Sequence, residues 1–261
     1  MFEKLENRYF FTGELVLENE MHIGSGKGDG RTDALVVKDF NGEPYVPGSS
    51  LRGVLRSTIE RIGAALGLSP CLLIENNRCV TTAKPLQEEF KEILKKKKYS
   101  EISNILKVIA QVCPVCQLFG STVVASKIRL TDLSLNGRGV PTSVRHGVAI
   151  NRDTETSQDK AKFDFETVSK GSRFAFELIG ENMAGNDLAL LAIGIQEMID
   201  GNFWIGGNSA RGLGKCKLVG LEIKYFKDVN GLKKYLQQRE NGLESTACDD
   251  FLKSITTLVK A

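Results

Sequence analysis

Residues 22–56, HIGSGKGDGRTDALVVKDFNGEPYVPGSSLRGVLR, decide how the chain is read. Three kinds of chemistry follow one another in this stretch. Gly24, Gly26, Gly28 and Gly30 alternate with Ser25, Lys27 and Asp29, a loop free to take positive φ and to bring backbone N–H groups against a ligand. Arg31-Thr32-Asp33 then sets one carboxylate between a cation and the apolar run Ala34-Leu35-Val36-Val37, which reads as a short buried strand. Pro47-Gly48-Ser49-Ser50 leads into Leu51–Arg56, where a helix capped by serine is expected. Leu51 and Leu55 share its apolar face, and Arg52 and Arg56 share a polar one. Capped N–H groups, the positive end of a helix dipole and two arginines one turn apart suit a phosphate chain. A surface loop before an ordinary amphipathic helix has the same pattern, so the rest of the chain must decide.

At 261 residues, with 41% hydrophobic and 26% charged side chains, the composition is that of a globular protein with a substantial core. A net charge of +3 does not by itself imply nucleic acid; the clustering of basic residues carries more weight. The N-terminal residues Met1–Glu6 contain no apolar signal region, and no stretch approaches a membrane span. Six cysteines without a secretion signal point to thiols or bound metal in a reducing cytoplasm.

Outward from the opening stretch, Tyr9–Glu18 reads as a first strand, and the helix from Ser50 is expected to reach about Leu66. Pro85–Val112 reads as helix in two pieces, with Lys95–Lys98 as a solvated end between them. A strand follows over Lys127–Leu133. Gly147–Glu166 reads as a hairpin whose middle, Thr154–Lys162, is too polar for a core and therefore projects. Ser172–Ile179 alternates as a strand, Asn186–Ile199 as an amphipathic helix capped at Asn186 or Gly185. A last strand runs to about Phe226, and two helices, Leu232–Arg239 and Asp249–Val259, end the chain.

Cys113-Pro114-Val115-Cys116 is the most chemically specific spacing. A CxxC turn presents two thiolates to one tetrahedral ion, and Cys71 and Cys79 complete a four-cysteine set for structural zinc. Redox chemistry would need a βαβ setting that the neighbouring sequence lacks. Cys216 and Cys248 read as packing residues. A second glycine loop, Gly206–Lys215, carries Asn208, Arg211 and Lys215; its glycines permit close approach to an extended backbone and its cations neutralise one. Neither loop has the spacing of a Walker A or dinucleotide motif, which argues against a nucleotide site.

Taken together, His22-Ile23-Gly24-Ser25-Gly26, Arg31-Thr32-Asp33, Val46–Gly53, Cys113–Ser121, Ile150-Asn151-Arg152 and the glycine-rich Gly206–Gly214 make the chain resemble the RAMP superfamily, specifically the repeated backbone subunits of type III CRISPR effector complexes. The resemblance covers the chain to about Tyr225. It implies an α+β fold of modified ferredoxin-like (RRM-like) type, in one domain with a core over about residues 7–66, 117–146 and 172–226. A zinc-bearing helical insertion would occupy about residues 67–116, a thumb hairpin about 147–168 and C-terminal helices about 229–261. Copies of such a subunit stack along a guide RNA beside other effector subunits and meet a target RNA. The resemblance further implies that Asp33 is the carboxylate needed to cut that target. The residues expected on RNA are Lys27, Arg31, Ser49, Ser50, Arg52, Arg56, Arg152, Asn208, Arg211 and Lys215.

Cleavage of RNA by the adjacent 2′-hydroxyl needs in-line geometry, removal of a proton and stabilisation of charge on the phosphate. An aspartate with the ordinary pKa of about 3.9 is a weak base at neutrality, so holding Mg2+ or Mn2+ near the phosphate is its first expected role. Asp29 is the competing acid, while Asp39 and Glu43 read as turn residues. Two other functions share the motifs: a catalytically silent guide-binding subunit, and a stand-alone nuclease that processes guide precursors. The latter chemistry leans on histidine, and the chain offers only His22 and His146.

Overall fold

Tyr9, Phe11, Leu15 and Leu17 are buried along β1 (Arg8–Leu17), and the residues between them are at least partly open, the period of two that one half-buried strand requires. In the computed structural model β1 lies between β5 (Arg173–Glu181) and β7 (Lys215–Phe226), antiparallel to both. The short strand β2 (Ile128–Leu130) extends the sheet beyond β5, while β6 (Phe203–Trp204) and β8 (Glu244–Thr246) pair with β7. The register between β1 and β7 shifts between Thr12 and Glu14. The bulge changes which parity of β7 faces inward, from Cys216 and Leu218 to Ile223.

Helices α1 (Gly48–Ala65) and α3 (Gly185–Ile199) pack together in the core, with Leu55 and Ile59 of α1 set against Gly194 of α3. The short α2 (Pro114–Phe119) wedges against both. After β7 come α4 (Val229–Gln238), α5 (Cys248–Leu252) and α6 (Thr256–Val259); Phe251 of α5 sets its ring edge to Phe11 at 5.2 Å. The described residues are 4–30, 32–71, 112–121, 124–137 and 142–259, with 92 and 95 besides. Arg31, Cys79 and the helices expected over 85–111, apart from helical 92 and 95, lie outside them.

Three local expectations are revised. The serines do not cap α1: Ser49 and Ser50 lie inside its first turn, and the Gly48 N–H donates to Asp132 Oδ1 at 2.7 Å. A cap 84 positions away replaces the local one because β2 ends beside the helix start. The run Ala34–Val37 forms isolated bridges, Gly24 to Val36 and Ala34 to Phe165, instead of a regular strand. The N-cap of α3 is Ala184, one place earlier than expected; its N–H donates to Asp187 Oδ2 at 2.8 Å. That same oxygen accepts from Lys127 Nζ at 2.5 Å, a buried ion pair that ties the entry to β2 to the start of α3.

Strands β3 (Thr142–Ile150) and β4 (Ser157–Val168) form a separate two-stranded sheet. Val144, Val148 and Ile150 are exposed along it, whereas Glu166, Thr167 and Val168 at its root are buried. The architecture of the described residues is therefore mixed α+β: an antiparallel sheet with helices packed on it, and a hairpin rooted beside it.

Candidate functional site

The root of the hairpin is where the first glycine loop is held. Val168 bridges Met21, and Phe165 bridges Ala34. The Glu166 N–H donates to the Ala34 carbonyl at 2.8 Å, and His22 Nδ1 donates to the Glu166 carbonyl at 2.6 Å. The buried Glu166 carboxylate completes the grip, accepting from the Val36 N–H at 3.1 Å and from Lys38 Nζ at 2.7 Å. Burial pushes this carboxyl up, but the Lys38 ammonium, the Thr142 hydroxyl and the Val36 N–H outweigh it and hold it below the ordinary value.

Between those anchors Asp33 stands exposed, and its Oδ2 accepts the Asp164 N–H at 2.8 Å. The hairpin backbone thus aims a carboxylate that stays open to solvent. Asp164 in turn holds His146 Nδ1 at 2.6 Å on its own carboxylate. Asp29 plays a different part, for its Oδ1 accepts the Thr32 N–H at 2.9 Å and closes the turn at the loop tip. Gly28 faces the carbonyls of Thr32 and Asp33, and a Cβ there would meet them at 2.6 and 2.8 Å. Only glycine lets the loop fold this tightly against Asp33.

The second glycine loop abuts the segment that leads into the first. Gly207 N–H donates to the His22 carbonyl at 2.8 Å and Gly214 N–H to the Glu20 carbonyl at 2.7 Å. Gly206, at φ 88°, sits on the His22 carbonyl where a side chain would collide. Asn208 and Gly212, both with positive φ, flank the turn Ser209–Arg211. Arg211 and Lys27 are exposed, whereas Lys215 pairs with Glu18 at 3.0 Å. Arg152 is exposed at the far turn of the hairpin, and Ser49 and the half-buried Ser50 occupy the first turn of α1.

Arg52 and Arg56 turn inward. Arg52 donates to the Phe119 carbonyl and lies over the Phe119 ring; Arg56 pairs with Glu60 at 2.7 Å and donates to Cys116 Sγ at 3.1 Å. Both arginines therefore clamp α1 to α2 and to a thiol cluster. Cys71, Cys113 and Cys116 place their Sγ atoms within 4.8 Å of one another, with Cys71 and Cys116 3.1 Å apart. The Cys113 sulfur accepts the N–H groups of Cys71 and Cys116, each at 3.4 Å. Hydrogen bonding to Cys113, then burial and hydrogen bonding to Cys71, push the Cys116 thiol up, because each favours the protonated sulfur. Three sulfurs gathered this closely fit a structural metal such as zinc, which takes thiolate ligands at about 2.3 Å. Cys79, the fourth expected ligand, is outside the described residues.

A model of the RAMP superfamily matches residues 14–217, which takes in both glycine loops, the hairpin, the cysteine cluster and strands β2, β5 and β6. The chain belongs to the RAMP superfamily. The resemblance drawn from its motifs therefore holds for the family. Among curated proteins, this RAMP chain is 25% identical over 274 aligned positions to the CRISPR system Cms endoribonuclease Csm3 of Methanocaldococcus jannaschii, covering 97% of this chain and 92% of the relative. It is 22% identical over 255 positions to the protein of the same name from Methanothermobacter thermautotrophicus, covering 85% and 87%. Among the described residues no helix is long and apolar enough to cross a membrane.

Sequence reasoning missed Glu166 and Asp164, the two residues that orient the Asp33 segment. Each is an acid in a polar hairpin, and its partners lie about 130 positions earlier in the chain. No local pattern marks such a pair.

Proposed function

We propose that this chain is a guide-RNA-binding backbone subunit of a type III CRISPR ribonucleoprotein that cleaves complementary target RNA through Asp33. The observation that carries the reading is the posture of Asp33, an exposed carboxylate anchored by the Asp164 N–H at the junction of glycine loop and hairpin. Family membership and two relatives named endoribonucleases support it. The strand sequence β1, β2, β5 and β7, with α1 after the first and α3 after the third, has the β-α-β-β-α-β order of a ferredoxin-like core. The hairpin is read as the thumb that enters the guide–target duplex.

In this mechanism Lys27, Arg31 and Arg211 neutralise phosphates, and Ser49, Ser50, Asn208, Lys215 and Arg152 line the RNA path. Arg52 and Arg56 act from behind, fixing α1 on the cysteine cluster so that its first turn stays in place. One carboxylate suits Mg2+ or Mn2+, which bind through one or two protein carboxylates together with substrate phosphates and would supply charge stabilisation at the scissile group. Asp33 would hold that cation, while the tight loop closed by Asp29 and Gly28 keeps the carboxylate in place. Zinc on Cys71, Cys113, Cys116 and Cys79 is structural. The working partners are guide RNA, target RNA, further copies and other effector subunits, in the reducing cytoplasm that suits a thiol cluster.

The test is Asp33→Ala in the assembled complex, with magnesium or manganese present. Target cleavage should fall on the order of 10²–10³-fold, with guide retention and target affinity unchanged. Full cleavage by the variant would assign the chemistry elsewhere, and a parallel loss of affinity would make Asp33 structural.

A further inference from the structure

A cleft of about 620 Å³ opens between the outer face of α1 and the second glycine loop, away from Asp33 and the cysteines. Val54, Ser57 and Arg61 form its helical wall, at the spacing that puts them on one face. Asn202, Trp204 and Ser209 form the other. Trp204 is the only tryptophan of the chain, and 40% of it is exposed on the short edge strand β6, while its neighbour Phe203 is buried in the core.

An indole left open at the wall of a cleft offers a flat apolar surface on which a second ring can stack. Around it stand the hydroxyls of Ser57, Thr58 and Ser209 and the Asn202 amide, groups that can pair with a base edge or a ribose. Among the described residues no carboxylate lines the cleft. Glu60, the acid next to Arg61 in sequence, is drawn to Arg56 at 2.7 Å, so the Arg61 charge is not offset by that neighbour. Exposed Arg211 follows Ser209 and Ala210 of the cleft wall in the same turn. The volume lies within the roughly 300–1,000 Å³ of small-ligand sites, enough for one nucleotide.

We infer that this cleft takes one unpaired nucleotide of bound RNA, its base stacked on Trp204 and its phosphate on Arg61. The inference rests on the RNA-binding reading above and adds a site to it. Stacking on an aromatic ring with a cation at the phosphate tolerates any base, because every base has a π-face. That suits a subunit that must hold guides of many sequences. A protein-docking face would need a broader apolar patch than one ring edged by polar groups.

The lone indole is its own reporter. Unlabelled oligoadenylate, oligouridylate and an abasic oligomer of equal length are titrated into the full chain. Tryptophan emission is followed in one series and binding of labelled oligomers by anisotropy in another. The base-bearing oligomers should quench Trp204, and the abasic one should bind more weakly without quenching. Trp204→Ala should weaken oligoadenylate about 5- to 150-fold, the range of one base–aromatic stack, and Trp204→Phe should keep most of the affinity. Arg61→Gln should lower the log–log salt slope by about 0.7. RNA binding with unquenched Trp204, or an unchanged affinity in Trp204→Ala, overturns the cleft assignment while leaving RNA binding intact. No binding of any oligomer overturns both readings. Emission that shifts with protein concentration and not with RNA gives the cleft to a second copy and also overturns the inference.

Discussion

Replacing Glu166 probes the grip that presents Asp33. Its buried carboxylate accepts the Val36 N–H at 3.1 Å and Lys38 Nζ at 2.7 Å. In Glu166→Ala the Val36 amide, in a buried residue, loses its acceptor, which costs about 1–3 kcal/mol. The Lys38 ammonium is 34% exposed and can be rehydrated, so loss of the ion pair adds about 1 kcal/mol at most. The sum, about 1–4 kcal/mol, corresponds to a melting temperature lower by about 2–16 °C for a chain of this size. Glu166→Gln keeps one acceptor oxygen and should fall between that variant and the native protein. The pH dependence has a definite sign. The folded carboxyl lies below its unfolded value, so its stabilisation is fully present above the unfolded pKa of about 4.3 and disappears as pH falls through the folded value. The gap between native protein and Glu166→Gln should be constant near neutrality and close in acid. Thermal unfolding followed by circular dichroism from pH 7 to about pH 3 measures it. Target cleavage should fall in the assembled complex while guide retention holds, since Val36 lies three positions after Asp33. A Glu166→Ala melting point within about 1 °C of native, or a gap to Glu166→Gln that persists undiminished in acid, would refute the reasoning.

The thiol cluster should copurify with one zinc per chain; zinc in small structural sites contributes about 10–16 kcal/mol, so Cys113→Ser should abolish the metal and lower the melting point sharply, and a zinc-free, fully stable protein would exclude the site. Asp187→Ala should destabilise by about 3–5 kcal/mol, because it leaves Lys127 buried without its carboxylate, and a Lys127→Met, Asp187→Leu pair should recover much of the loss in denaturant unfolding. Replacing the exposed turn Asn151–Thr156 with a short Asn-Gly turn should leave stability within about 0.5 kcal/mol. It should nonetheless impair target cleavage, and a large loss of stability would make the hairpin tip part of the core.

Elements with a strong local period were legible in the sequence. The alternation of Tyr9, Phe11, Leu15 and Leu17 and the stripe of Leu51, Leu55 and Ile59 each bury one face, and that pattern needs no knowledge of the partner. The pairing of Cys113 with Cys116 was legible for the same reason, since a CxxC turn brings both sulfurs together by itself. Everything that depended on which face meets which partner was not. Arg52 and Arg56 are polar by pattern, yet α2 packs beside them and supplies a carbonyl and a thiol, so they point inward. The start of α1 has serines at hand, but Asp132 reaches its first N–H from a strand that only folding brings near. Glu166 and Asp164 orient Asp33 across a gap of about 130 residues. Local sequence determines period and propensity because those energies act within a few residues; the direction of a polar side chain is decided by the donor or acceptor that the fold delivers, and that partner lies elsewhere in the chain.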